Sequence, residues 1–141
     1  EVTSRKDGRP IAEIRDEMAN AMWNKVGIFR EAGKMQEALD TLNKLIEEYK
    51  TCFVGDTNRT FNMAFVNYVE VGSLLTVAKA AVMGAMRRKE SRGSHLREDF
   101  PKRDDKNFLN HTLITLNANG EYEVGQRDVV VTRFEPKERT Y

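Results

Sequence analysis

Apolar residues recur every three or four positions from Ile11 to Phe29, again from Met35 to Tyr49, and again from Phe61 to Met86. That period places each set on one stripe of a helix, and no other regular element presents it. The first stripe is Ile11, Ile14, Met18, Met22, Val26 and Phe29, entered at Pro10, whose missing N–H is tolerated in a first helical turn. Gly33 reads as its stop, because glycine takes the left-handed cap conformation at low cost. The second stripe is Met35, Ala38, Leu39, Leu42, Leu45, Ile46 and Tyr49, so near the first that the two helices should be antiparallel neighbours. The stretch 51–60 contains Gly55-Asp56 and Asn58 and reads as a loop ending in a helix cap. A third helix follows, presenting Phe61, Phe65, Val69, Gly72, Leu75, Lys79, Val82 and Met86 to the core. At about 1.5 Å per residue it would be about 45 Å long. Helices near 11–31, 34–50 and 60–90 thus predict a mainly α chain, a three-helix bundle running up-down-up like a spectrin repeat.

After Pro101 the period changes. Thr112 to Leu116, then Asn119-Gly120, then Glu121 to Val124 read as strand, type I′-favouring turn and strand. Val129 to Phe134 is a third β-prone run. A tail of two or three strands is marginal alone and must lie on something. The expected division is a bundle over 1–106 and a hairpin-like C-terminal tail over 107–141, packed on the bundle or on a further domain. A chain of 141 residues fits one domain, and its first residue, Glu1, leads us to expect a cut from something longer.

The chemistry that sequence usually advertises is missing. The glycines never fall as G-x-G, so no dinucleotide-binding turn can be built from this chain. His95 and His111 have no cysteine pair or second histidine at ligand spacing, which speaks against a metal. Ser94 and His95 are adjacent, and adjacent side chains rarely face each other as nucleophile and base. Cys52 is the only cysteine and reads as a small apolar packing residue between Tyr49 and Phe53. With 8 Lys/Arg against 5 Asp/Glu, the segment Arg87–Lys106 is a mixed surface, and the net charge of +1 gives no drive toward nucleic acid. Arg87-Arg88-Lys89 reads as a basic last turn complementing the helix dipole. No apolar run is expected to reach the roughly 20 residues that span a bilayer, so no membrane span is anticipated.

One run is distinctive: Arg88-Lys89-Glu90-Ser91-Arg92-Gly93-Ser94-His95-Leu96-Arg97-Glu98-Asp99-Phe100-Pro101, followed by Arg103-Asp104-Asp105 and Asn110-His111-Thr112-Leu113. Ile14-Arg15, Met22-Trp23 through Val26-Gly27-Ile28-Phe29-Arg30, Phe61-Asn62, and the closing Arg133-Phe134-Glu135-Pro136 through Arg139-Thr140-Tyr141 accompany it in order. Together they resemble the C-terminal helical domain of the succinate dehydrogenase/fumarate reductase flavoprotein subunit family. The resemblance implies a parent FAD enzyme that oxidises succinate or reduces fumarate and exchanges electrons with an iron–sulfur subunit. It implies partners in the flavin-binding and capping domains of the same subunit, and a cytoplasmic place peripheral to the membrane. FAD and every catalytic residue would belong to those other domains, so this chain alone should hold no cofactor and be inactive. L-aspartate oxidase has a similar closing domain and is a near alternative, and adenylylsulfate reductase is more distant. A free-standing helical interaction module is the alternative from another class.

What matches is the helix-ending segment, and its residues are the candidates for inter-domain docking: Arg88, Glu90, Ser91, Arg92, Gly93, His95 and Arg97. Arg92 offers a planar fork of donors, Glu90 accepts, and Gly93 can turn the chain sharply with positive φ. They would then present Arg92, His95 and Arg97 against the flavin domain. Local pairing with Asp99, Asp104 or Asp105 is the other account of the same residues.

Overall fold

The computed structural model describes residues 2–137, so Glu1 and the closing 138–141 of the sequence motif lie outside it. The described chain is mostly helical with a small C-terminal hairpin. Its order is α1 (Ile11–Val26), β1 (Phe29–Arg30), α2 (Ala32–Tyr49), α3 (Met63–Arg87), β2 (Leu96–Arg97), α4 (Asp105–Phe108), β3 (Asn110–Leu116) and β4 (Tyr122–Asp128).

The first helix is shorter than its stripe predicts. It stops at Gly27, and the chain continues extended so that Phe29 and Arg30 pair in parallel with Leu96 and Arg97. Phe29 is therefore exposed and does not join the core. Gly33 ends nothing: it lies in the first turn of α2, which starts after Glu31 in extended conformation. Pro10 precedes the first helical residue, and its carbonyl accepts from the Glu13 and Ile14 amides.

Ile11, Ile14, Met18 and Val26 of α1 meet Met35, Ala38, Leu42 and Leu45 of α2 and Val71, Leu75, Ala78, Val82 and Ala85 of α3 in one core. Burying each large aliphatic side chain contributes about 1.5–3 kcal/mol, which is what holds the helices together. Cys52 is fully buried beside this core, as a small apolar residue. Tyr49 stacks on Tyr68 with centroids 4.6 Å apart and donates to the Tyr68 carbonyl at 3.0 Å. Gly72 permits that approach, since a Cβ there would lie 2.5 Å from the Tyr49 hydroxyl. Arg9 joins the start of α1 to the end of α2 through Glu17 at 2.6 Å and Glu48 at 2.8 Å.

The core face of α3 departs from the sequence expectation. Leu75 and Val82 are buried as predicted, but Phe61 precedes the helix and is 96% exposed, and Val69 is 51% exposed. The helix is apolar on most sides, so spacing alone does not fix its phase. Its cap is Asn62, whose side chain accepts from the Phe65 amide at 2.7 Å. Against expectation, α3 is long and apolar enough to cross a membrane by length and composition, with an 18-residue stretch of mean hydropathy 1.4.

The hairpin lies along α3. Tyr122 donates to the Thr76 carbonyl at 3.1 Å, Lys79 sits over the Tyr122 ring, and Ile114 and Thr112 approach Gly84. Its turn is not type I′, because only Gly120 has positive φ there. The Gly120 amide bonds the Asn117 carbonyl and the Asn117 amide bonds Glu121, the pattern of a type I turn with a glycine bulge. Val129 to Phe134 forms no strand, and Val130 and Phe134 are exposed.

Candidate functional site

A helix ends with carbonyls that lack intrahelical partners. At the end of α3 they are met by Arg97, which is 1% exposed. Its Nη1 donates to the carbonyls of Arg88 at 3.1 Å, Ala85 at 3.3 Å and Met86 at 3.4 Å. Its Nε and Nη2 grip the two oxygens of Asp99 at 2.7 Å each, and its guanidinium lies over the Phe100 ring. Asp99 Oδ2 also accepts from the Ala32 amide at 3.2 Å, at the start of α2. A cation thus sits on a helix C-terminus and its carboxylate partner on a helix N-terminus, each favoured by the local dipole. The Asp99 carboxyl is held down at about 2, chiefly by Arg97.

Glu90 follows two residues beyond the helix cap and is fully buried. Arg92 reaches it through Nε at 2.8 Å and Nη2 at 3.0 Å, the Asp104 amide donates at 2.8 Å, and Arg88 Nη1 completes the set. Burial alone would raise this carboxyl; the donors from Arg92, Asp104 and Arg88 outweigh it, leaving it below its ordinary value. Arg88 also donates to the carbonyls of Phe108 at 2.8 Å and Asn110 at 2.5 Å, tying the hairpin to the helix end. Arg92 continues to Asp105 at 2.6 Å, and Asp105 is paired in turn with Arg103. Asp105 is drawn down to about 2, first by Arg103 and then by Arg92.

Gly93 has φ +59 and opens a two-residue turn in which Arg92 and His95 exchange backbone bonds at 2.8 and 3.1 Å. The Ser91 hydroxyl accepts from the Arg97 amide at 2.8 Å and donates to the Phe100 carbonyl at 2.9 Å. His95 Nδ1 lies 2.7 Å from Arg30 Nη1 and its Nε2 3.1 Å from the Arg88 carbonyl. Arginine can only donate and a carbonyl can only accept, so His95 is neutral with its proton on Nε2. Burial, then the surrounding arginines, depresses its pKa below the ordinary value.

All seven candidates meet at this helix end, but they do not share one fate. Glu90 and Arg97 have no surface to present to another domain, because the helix terminus and neighbouring cations occupy them. Arg88, Ser91, Arg92 and His95 are half-buried, and Gly93 is exposed. Beside them lies a hollow of about 380 Å³ lined by Arg88, Arg92, Phe108, Asn110 and His111. Asn110 Oδ1 faces no hydrogen-bond partner among the described residues, although it is buried. Arg30 is the member that sequence reasoning missed: it caps α1 through the Val26 and Gly27 carbonyls and holds His95. Nothing in its spacing marks that role. No cluster of three or more metal-binding side chains occurs among the described residues.

The order of helices and hairpin is that of a flavoprotein closing domain. The family described as fumarate reductase flavoprotein C-term matches residues 15–141, and the chain belongs to it. It is 46% identical over 128 residues to the 8-methylmenaquinol:fumarate reductase flavoprotein subunit of Wolinella succinogenes, covering 91% of this chain and 21% of that one. It is 39% identical over 143 residues to the fumarate reductase flavoprotein subunit of Escherichia coli, covering 100% of this chain and 24% of the relative. A solved structure of E. coli quinol fumarate reductase superposes with TM-score 0.91 at 39% identity, covering 97% of this chain and 24% of that chain. Adenylylsulfate reductase of Archaeoglobus fulgidus superposes with TM-score 0.81 at 17% identity, over 96% of this chain and 22% of that one, which shows a shared fold alone. The chain thus spans about a quarter or less of the length of these relatives.

Proposed function

We propose that this chain is the structural closing domain of an FAD-dependent flavoprotein subunit that oxidises succinate or reduces fumarate, exchanging electrons with an iron–sulfur subunit. The observation that carries the reading is family membership over residues 15–141 by a chain whose most elaborate polar cluster is occupied by its own structure. The described residues do not fit an FAD themselves. A pyrophosphate needs free amides at a helix N-terminus behind a glycine-rich turn. Here α1 starts behind a proline, the Ala32 amide at α2 is held by Asp99, and the Phe65 amide at α3 is held by Asn62. The flavin, the dicarboxylate and the catalytic groups would be held by the flavin-binding and capping domains.

In that setting the rim of Arg88, Ser91, Arg92, Gly93 and His95 would dock on the flavin domain, beside the hollow lined by Arg88, Arg92 and Asn110. We read the helices as an up-down-up, spectrin-like bundle over 1–106 with the tail over 107–141, a reading supported by their shared core. We read α3 as a core helix rather than a membrane span, because Val71, Leu75, Val82 and Ala85 face the other helices. Attachment to the cytoplasmic face of the membrane would run through partner subunits. The test is direct. The chain alone, mixed with FAD and gel-filtered, should emerge without flavin absorbance and should not reduce fumarate with a reduced viologen dye. Flavin eluting at near one equivalent, or dye-linked turnover, would overturn the assignment.

A further inference from the structure

Among the described residues, the outward side of the first turns of α3 remains bare. Val66, Val69, Ser73, Val77 and Ala80 recur at three- and four-residue spacing, which sets them on the side opposite Val71, Leu75, Ala78, Val82 and Ala85. Val69 is 51% and Val77 64% exposed, and Leu74 flanks them. On α1, Arg15 Nη1 bonds Asn67 Oδ1 at 2.9 Å and fixes the register of the two helices. Trp23, two turns beyond Arg15, therefore stands at the level of Leu74, and it is 83% exposed.

The same stripe has a cover farther along. At Gly84 the side chains of Ile114 and Thr112 on β3 come within 3.7 and 3.8 Å of a Cβ position, so the hairpin shields the last turns of that face. The first turns have no counterpart among the described residues. Contiguous apolar surface of this kind marks an interface in soluble proteins, and interface centres are poor in charge and rich in aromatic residues. Among the described residues, Glu70 adjoining the stripe and Arg15 beside it, bonded to Asn67, are the charges nearest the bare turns, while Lys79 leans over Tyr122. An anionic bilayer would call for a cationic border here, which one arginine alongside a glutamate does not make.

We propose that this α3 face, with Trp23 at its edge, is the surface buried against the preceding three-quarters of the flavoprotein subunit, which must present a largely apolar patch to it. The proposal rests on the closing-domain reading above, and on the relatives being four to five times longer than this chain. It assigns the main contact to α3; the charged rim at the helix end contributes orientation.

The experiment replaces the matching closing quarter of the E. coli fumarate reductase flavoprotein subunit with this chain, and reads retained flavin after gel filtration. Val69→Asp with Val77→Asp is compared with Val130→Asp, an exposed position in the tail. Both variants of the chain alone should melt within about 2 °C of the parent, because the altered side chains face water there. In the hybrid subunit, only the α3 variant should lose flavin. If that variant keeps flavin as well as the unaltered hybrid, the surface assignment fails and the closing-domain reading stands. If the unaltered hybrid cannot retain flavin while the E. coli subunit does, both fail. A lowered melting temperature of the α3 variant in the chain alone would mean that the face is already packed, and would overturn the proposal. Trp23 emission with phosphatidylcholine–phosphatidylglycerol vesicles should not move; a blue shift abolished by the double substitution would replace the protein partner with a membrane.

Discussion

Arg97→Ala tests the central claim that the charged run is first a device for ending α3. The substitution removes a two-point pair with Asp99, three carbonyl contacts and a cation above Phe100. Truncating one partner of a buried pair costs about 3–5 kcal/mol, because the other charge is left without compensation. Two features pull the value to the low end. The Asp99 side chain is 26% exposed and keeps the Ala32 amide, and two of the three carbonyl contacts are longer than 3.2 Å. A loss of about 3 kcal/mol is expected, a large part of the 5–15 kcal/mol that a domain possesses. Urea unfolding followed by circular dichroism should show the midpoint fall with an unchanged slope, since the surface exposed on unfolding is the same. Arg97→Lys keeps a cation at the helix end but not the fork, and should recover less than half. Combined with Asp99→Asn, the loss should be smaller than the sum of the singles by about 1 kcal/mol or more. A loss for Arg97→Ala below about 1 kcal/mol, or strict additivity in the cycle, would refute the capping account.

Leu42→Asp places a charge at a fully buried point between the helices, and the chain should fail to give a cooperative thermal melt; a melt equal to the parent's would mean that Leu42 faces water. Stability should also depend on pH in two windows. The carboxyls of Glu90, Asp99 and Asp105 lie lower in the fold than their ordinary values. The contribution of Asp99 and Asp105 is complete above those ordinary values and is lost as the pH falls from about 4 toward about 2, and that of Glu90 is lost as the pH falls through its own lowered value. His95 is depressed below 6.5, so the fold binds its proton less readily than the unfolded chain, and stability should decline as the pH drops below 6.5. His95→Gln should flatten the upper window alone; an unchanged slope there would assign it to other groups.

The sequence made the helices legible and left their ends obscure, for a physical reason. Periodicity reports which side of a helix is apolar, so Leu42, Leu45 and Val82 could be placed in the core from spacing. It says nothing about where the chain stops obeying the period. Phe29 continues the stripe of α1 in sequence, yet Gly27 has already released the chain to pair with β2, whose partner residues lie more than sixty positions away. The phase of α3 failed for the opposite reason: apolar residues on most of its sides give spacing no contrast to read. Val129 to Phe134 has the composition of a strand, but composition does not supply a partner, and among the described residues this run pairs with neither edge of the β3–β4 hairpin.

The charged run shows why a motif can be found before it can be interpreted. A guanidinium fork and a carboxylate recognise each other with the same geometry inside a chain and between chains. From sequence, Arg92 and Arg97 are therefore equivalent candidates for docking, and Asp99 and Asp105 equivalent local partners. Burial separates them. Arg97 is consumed by the end of its own helix, whereas Arg92 spans from buried Glu90 to exposed Asp105 and keeps an edge toward the hollow beside Asn110. The two arginines carry different links of the chain from sequence to function. Arg97 decides whether the helix end and the turn after it exist, and Arg92 can contribute to a contact only once they do. A substitution at Arg97 that weakened flavin retention in a larger subunit would thus report loss of the platform, and melting of this chain alone is the measurement that separates that effect from loss of a contact.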